Sequence, residues 1–180
     1  MSENRNRTLE VGMVLDGKWV ILEFVGKGGM GEVYRAHQLN LKRDVAIKII
    51  SQEWLRSFDC DPENTGDSLE RFHREVQLMA QIIHPNILQI FDEGSVALGQ
   101  GENDLPIQYI VMEYVPGSTL RSTMSEEGFY PEKERMEDWL RQYFLPLLDG
   151  VRALHECGII HRDLKPENVL LAGNTPKLAD

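Results

Sequence analysis

The chain has 180 residues, 42% hydrophobic and 27% charged, with 29 acidic against 19 basic side chains and a formal net charge of −10. That is enough apolar material for one large core or two small ones, and the acidic balance excludes a broad basic surface for nucleic acid or an anionic membrane. Two cysteines, Cys60 and Cys157, are too few for a disulfide framework or a thiolate metal cluster, so a reduced, cytoplasmic setting is expected.

In chain order, Met1 to Thr8 is polar with no apolar h-region, so no signal peptide is expected, and residues 1–10 read as a loosely attached tail. No apolar run approaches the roughly 20 residues that span a bilayer. From Val11 to Ile50 the pattern is strand-like. Trp19–Val25, Glu32–Ala36 and Val45–Ile50 are three expected strands, most simply joined as an antiparallel meander. Residues 51–68 form a turn-rich acidic loop. Ser68 is a candidate N-cap for a helix whose stripe is Leu69, Phe72, Val76, Met79, Ala80 and Ile83, ended by His84-Pro85-Asn86. Ile87–Phe91 and Gln108–Val115 read as two more strands flanking a polar loop, Gly94–Pro106. Pro116-Gly117 turns the chain, and from there to Gly158 the signal is helical. Trp139, Leu140, Tyr143, Phe144, Leu147, Val151 and Leu154 form its stripe, with a kink or helix boundary expected at Pro146. A hairpin of Val169–Leu171 with Pro176–Ala179 closes the order.

Four groups of residues carry chemistry. Gly26-Lys27-Gly28-Gly29-Met30-Gly31 contains GxGxxG, which by itself fits a plain glycine-rich turn as well as a phosphate loop. It opens the strand-like Glu32-Val33-Tyr34 rather than a helix, which argues against a dinucleotide-binding loop, and no Lys-Ser/Thr follows as in a Walker A loop. Lys48 ends Val-Ala-Ile-Lys and shares a strand face with the small Ala46, while Val45, Ile47 and Ile49 share the other. Glu75, at the border of the helix stripe, is the candidate anion for Lys48, or else an exposed partner of Arg71. In His161-Arg162-Asp163-Leu164-Lys165-Pro166-Glu167-Asn168, Asp163 could accept a proton from an attacking hydroxyl and Lys165 could reach a transferred phosphoryl group. Asn168 offers magnesium a neutral oxygen, and the hairpin returns the chain so that Asp180 lies beside it.

Taken together these motifs resemble the eukaryotic-type (Hanks) protein kinases, and Gly-Lys-Gly-Gly-Met-Gly-Glu-Val-Tyr-Arg-Ala looks most like the bacterial serine/threonine members. The resemblance covers roughly Leu15 to Asp180. It implies an α+β, two-lobed fold with a tail at 1–14, a β-rich ATP-binding lobe with one main helix at 15–115, and part of an α-rich lobe at 116–180. It implies that Gly26, Lys27, Gly28 and Gly31 cover the ATP phosphates, and that Val33 and Ala46 line the adenine pocket. Lys48 would hold the α/β-phosphates and pair with Glu75. Met112 would stand at the gatekeeper position, and Glu113, Tyr114 and Val115 would form the adenine-binding hinge. Asp163 would be the catalytic base, Lys165 would lie beside the γ-phosphate, and Asn168 and Asp180 would ligate Mg2+. The Lys165 in Asp-Leu-Lys-Pro-Glu-Asn is the serine/threonine form.

The expected activity is transfer of the ATP γ-phosphoryl group to a protein serine or threonine hydroxyl. No nucleic-acid partner and no membrane segment in this chain are expected, and a dimer through the first lobe is a further expectation. The loop from Ile50 to Ser68 departs from the family by its length. The family's Phe-Gly, activation segment and remaining helices should follow Asp180, so the 180 residues are expected to be an N-terminal fragment with little or no activity alone. The alternative is a truncated or pseudokinase-like nucleotide-binding scaffold. Intact Lys48, Asp163, Asn168 and Asp180 argue against that alternative.

Overall fold

The structure, a computed structural model, describes residues 7–56, 68–97, 106–124 and 133–179. The chain divides into two compact units, Met1–Gln77 with Ile90–Tyr114, and Leu78–Gln89 with Val115–Asp180.

The first unit is built on a six-stranded antiparallel sheet. Its strands are β1 (Val14–Leu15), β2 (Trp19–Gly28), β3 (Gly31–Gln38), β4 (Arg43–Ile50), β5 (Ile90–Val96) and β6 (Ile107–Glu113), in the order β1-β2-β3-β4-β6-β5. The expected meander is present as β2-β3-β4. Its strands run further than the apolar pattern suggested, because ladder pairing continues through Lys27↔Glu32 and Gly28↔Gly31 at one end and Gln38↔Arg43 at the other. Pairing between β2 and β3 slips twice, between Ile21 and Glu23 and between Phe24 and Gly26, and such irregularities increase local twist.

Alternation on β4 sorts its side chains. Val45, Ile47 and Ile49 enter a core with Leu15, Trp19, Ile21, Tyr34, Tyr109 and Val111. On the other face Ile50 packs with Leu55 of α1 (Gln52–Arg56) and with Phe72 and Val76 of α2 (Ser68–Ala80). The acidic loop assigned to 51–68 therefore opens with a short helix; residues 57–67 lie outside the described residues.

Three expectations need correction here. The tail placed at 1–14 is not loose from Thr8 on: Leu9 is 2% exposed in the sheet core, and Val14 belongs to a strand. Helix α2 ends at Ala80, before His84-Pro85. The amides of Gln81 and Ile82 bond three residues back, to Leu78 and Met79, and Gln89 Nε2 donates to the Ala80 carbonyl at 3.1 Å. Ile83 thereby leaves the stripe and is 88% exposed. The strand expected at Ile87–Phe91 begins instead at Ile90 and runs to Val96. Ile87 bridges to Leu178, while Asp92-Glu93-Gly94-Ser95, whose last two residues fall in the expected loop, forms a polar edge strand. Gly94 is required there, since a Cβ would overlap the Tyr109 ring.

The second unit holds a hairpin, β7 (Val169–Ala172) with β8 (Thr175–Leu178), and a helical run, α3 (Lys133–Trp139), a π-turn at Leu140–Phe144, and α4 (Leu145–Glu156). Pro146 sits at the start of α4, and the wide π-turn before it relieves the clash of the proline ring with the carbonyl four residues back. The wider turn also rotates the stripe. Trp139, Tyr143, Leu147, Val151 and Leu154 pack with Val169, Leu171 and Leu178, whereas Leu140 and Phe144 stay exposed, contrary to the stripe read from spacing. Gly150 lets α4 approach closely, with the Asn86 carbonyl and Leu178 Cδ1 each 3.1 Å from where a Cβ would be. At the end of α4, Gly158 adopts φ 76° and Ile159 N–H donates back to Leu154 at 3.0 Å, the six-to-one bond of a Schellman cap. Among the described residues no helix is long and apolar enough to cross a membrane.

Candidate active site

The glycine loop lies between two strands, as its sequence context requires. Gly29 and Met30 make the two-residue turn of the β2–β3 hairpin, closed by the Gly28↔Gly31 pair. Its glycines serve different ends. A Cβ at Gly26, Gly28 or Gly29 would meet nothing within 4 Å, so the flap's backbone is open to a ligand. A Cβ at Gly31 would land on the Ile49 carbonyl oxygen, and its φ is 143°. Gly31 is thus glycine for packing, whatever the flap binds.

Lys48 lies opposite Val33 in the β3–β4 ladder. The residue is 4% exposed, and its Nζ is 3.2 Å from Sδ of Met30 at the flap tip. Ser51 N–H also donates to the Met30 carbonyl at 2.9 Å. The tip is therefore drawn down onto the strand that carries the lysine. Ala46 pairs with Arg35 on one side and Met112 on the other, and both Ala46 and Met112 are buried. Glu113 pairs with Val45 at the end of β6, so Glu113, Tyr114 and Val115 begin where the sheet stops. The Arg35 guanidinium stacks over the Tyr114 ring at 5.1 Å and is itself fixed by Asp44 at 2.6 Å and Glu23 at 3.2 Å.

Among the described residues no Lys48–Glu75 ion pair is seen in this conformation, where Lys48 contacts Met30. Glu75 is exposed, because α2 turns Phe72 and Val76 toward the sheet and Glu75 falls beside that stripe.

In the second unit the loop after the Schellman cap is strained at one residue. Arg162 has φ 62°, and Asp163 N–H donates to the His161 carbonyl at 2.8 Å, closing a γ-turn of the positive-φ kind. Asp163 Oδ2 accepts from Lys165 Nζ at 2.7 Å and from Asn168 Nδ2 at 2.9 Å; the same Nδ2 also reaches the Asp163 carbonyl at 3.0 Å. The Lys165 ammonium, opposed by slight burial and helped by Asn168, holds the Asp163 carboxyl below its ordinary range. Oδ1 of Asp163 has no donor among the described residues. With Asn168 bonding through Nδ2, its Oδ1 stays available as a hard oxygen ligand.

A 3-10 turn at Pro166–Asn168 leads into β7, and the hairpin turns at Gly173, φ 60°. Leu178 pairs with Val169, and Ala179 N–H donates to the Asn168 carbonyl at 2.8 Å, so the chain does return to Asn168. Asp180 lies outside the described residues. Among the described residues no three His, Cys, Asp or Glu side chains gather as a metal cluster. Asn168 Oδ1 is one hard neutral oxygen, and magnesium usually adds one or two carboxylates, phosphate oxygens and waters to such a ligand.

Spacing alone missed two features. One is the buried Glu32, ion-paired with flap Lys27 at 3.2 Å; the two face each other across a two-residue hairpin, a signal present in the sequence. The other is the γ-turn at Arg162, which has no sequence signature.

The family model for the protein kinase domain matches residues 19–180. The chain is 38% identical over 170 residues to the serine/threonine-protein kinase PknB of Mycobacterium tuberculosis, covering 92% of this chain and 24% of that protein. It is 35% identical over 161 residues to PrkC of Bacillus subtilis, covering 89% of this chain and 22% of that protein. The chain thus spans about a quarter or less of the curated relatives it matches. Among solved structures, the PknI kinase domain of Mycobacterium tuberculosis superposes with a TM-score of 0.72 at 26% identity, covering 96% of this chain and 62% of that one.

Proposed function

The chain belongs to the protein kinase family, and from that premise we propose that the protein carrying it is a serine/threonine kinase that transfers the γ-phosphoryl group of ATP to a protein hydroxyl. The family generally uses ATP with Mg2+. The observation that carries the reading is the Asp163 carboxylate held by Lys165 and Asn168 on a loop strained at Arg162.

Each residue then has a task its surroundings suit. The open backbone of Gly26, Gly28 and Gly29, with Lys27, covers the phosphates, and Gly31 anchors the flap to β4. Lys48 holds the α/β-phosphates. Val33, Ala46 and Met112 flank the adenine, and Glu113 and Val115 present backbone groups to it. Asp163 orients the acceptor hydroxyl and takes its proton on Oδ1, the oxygen without a donor among the described residues. Lys165 turns from Oδ2 toward the transferred group as negative charge develops there. Asn168 and Asp180 hold the metal, which when bound neutralises phosphate charge. Glu75 must turn toward Lys48 for this arrangement to work. The Lys165 ammonium and the serine/threonine-kinase relatives support serine or threonine acceptors. The acidic balance and a sequence with two cysteines support a cytoplasmic setting and a protein rather than nucleic-acid partner.

The test separates binding from transfer. In the protein expressed from its own gene, Lys48→Met should abolish Mg-ATP binding. Asp163→Asn should keep binding but cut transfer to serine and threonine peptides by roughly 10²-fold or more, the usual worth of a positioned base. Asp163→Asn with undiminished transfer would sink the assignment.

A further inference from the structure

Three donors converge on one buried carboxylate beside the flap. Glu32, 4% exposed, accepts from the Thr8 backbone N–H at 2.9 Å, from the Tyr34 hydroxyl, and from Lys27 Nζ at 3.2 Å. A carboxylate taken out of water is costly unless its oxygens are filled. Burial pushes the Glu32 carboxyl up, but the bonds from Tyr34, Thr8 and Lys27 outweigh it and hold the group below its ordinary value. The donors come from different places. Lys27 belongs to the flap and Tyr34 to β3, while Thr8 precedes the first strand.

The segment around Thr8 is itself anchored. Leu9 N–H donates to the Tyr34 hydroxyl at 3.1 Å, and the Leu9 side chain is buried in the sheet core. The Arg7 guanidinium lies 4.5 Å from the Phe24 ring, which meets Tyr34 edge-on. Further along, Gly12 and Ile21 and then Ile21 and Met13 exchange backbone bonds of 2.8 and 2.9 Å, so the segment continues along β2.

We propose that Arg7–Leu9 is a strap that sets the flap through Glu32, a positioning residue acting on Lys27; it rests on the reading of the flap as a phosphate loop. With the strap seated, Glu32 is fixed by Thr8 and Tyr34 and pins Lys27 across the hairpin. With the strap lifted, Glu32 loses the Thr8 donor. Its under-filled carboxylate then swings toward water, and Lys27 goes with it. Gly31 keeps the base of the hairpin fixed on β4, so the loosening is confined to the flap. Whatever pulls on the N-terminal segment is thereby felt where phosphate binds.

The test compares the chain with three variants: one starting at Leu9, Glu32→Gln, and Lys27→Met. Amide exchange is followed at residues 26–31 and at Val45–Ile49, together with the affinity for Mg-ATP. Shortening and Glu32→Gln should each speed exchange at 26–30 by about tenfold or more, the scale of one lost charge-assisted bond, with Gly31 and Val45–Ile49 unchanged. Each should weaken Mg-ATP binding, and together they should do no more than either alone. In the Lys27→Met background, shortening should no longer change the affinity. Unchanged flap exchange in the shortened chain overturns the strap, and so does equal acceleration at Val45–Ile49, which marks a purely structural segment. If Glu32→Gln does not fold, the shortened chain and Tyr34→Phe decide the matter. If the unaltered chain binds no Mg-ATP, the kinase reading fails, while the exchange data still decide the strap.

Discussion

Alanine at Gly31 and alanine at Gly29 should have opposite consequences, although both positions belong to one glycine-rich flap. At Gly31 the new Cβ lands on the Ile49 carbonyl and lies 3.1 Å from Ser51 N, and these are backbone atoms that cannot rotate aside. The φ of 143° adds strain of about 1–3 kcal/mol for a residue with a Cβ. Moving the Ile49 carbonyl loosens the β3–β4 ladder beside Gly31↔Ile50, at about 1 kcal/mol per bond. Gly31→Ala should therefore cost about 3 kcal/mol. At Gly29 nothing lies within 4 Å and φ is not in the left-handed region, so the change should stay within about 0.5 kcal/mol or stabilise slightly. Urea unfolding followed by circular dichroism measures both. A Gly31→Ala loss below about 1 kcal/mol, or an equal loss at Gly29, would refute the division of roles among the glycines. Gly28→Ala adds a functional check, since it should keep stability yet weaken Mg-ATP binding by filling the open face of the flap.

Ile47→Ala, at the centre of the sheet core, should cost about 2–5 kcal/mol. Ile83→Ala, at a position that helical spacing would bury, should change stability by less than about 0.5 kcal/mol in the same assay. Burial and the Glu32 carboxylate push the Tyr34 hydroxyl up from 10.0 to about 12. A folded value above the unfolded one means stability present below pH 10 and lost as pH rises toward 12, so Tyr34→Phe should flatten the alkaline fall seen in pH-dependent unfolding. Asp163 has the opposite sign. Its lowered folded value gives a contribution present above the unfolded carboxyl value and lost as pH falls through the folded one. Lys165→Met should raise the Asp163 titration toward the ordinary carboxyl range by NMR, and an unmoved titration would remove Lys165 as its cause.

Much of the site was legible because its chemistry is local. Strand-loop-strand context identified the flap, and β alternation placed Ala46 and Lys48 on the face opposite Ile47, as the two separate clusters around β4 bear out. The turn at Gly173-Asn174 foretold the hairpin that returns Ala179 to Asn168. Strand limits were less legible where one edge faces water. Asp92–Ser95 carries no apolar signal because an edge strand needs none, and Ile87 looks like strand because it is buried against Leu178.

The sequence by itself determined the inventory: a glycine flap, a strand lysine, and an Asp-Lys-Asn loop at spacings that short-range geometry enforces. Tertiary structure alone decided which groups touch. It put Met30 rather than Glu75 against Lys48, drew Thr8 to Glu32, and turned Leu140 and Phe144 outward through one π-turn. The reason is that helical and strand periods fix the direction of a side chain only relative to its own element. The rotation of that element about its axis is set by packing, as when Phe72 and Val76 seat α2 and leave Glu75 facing water.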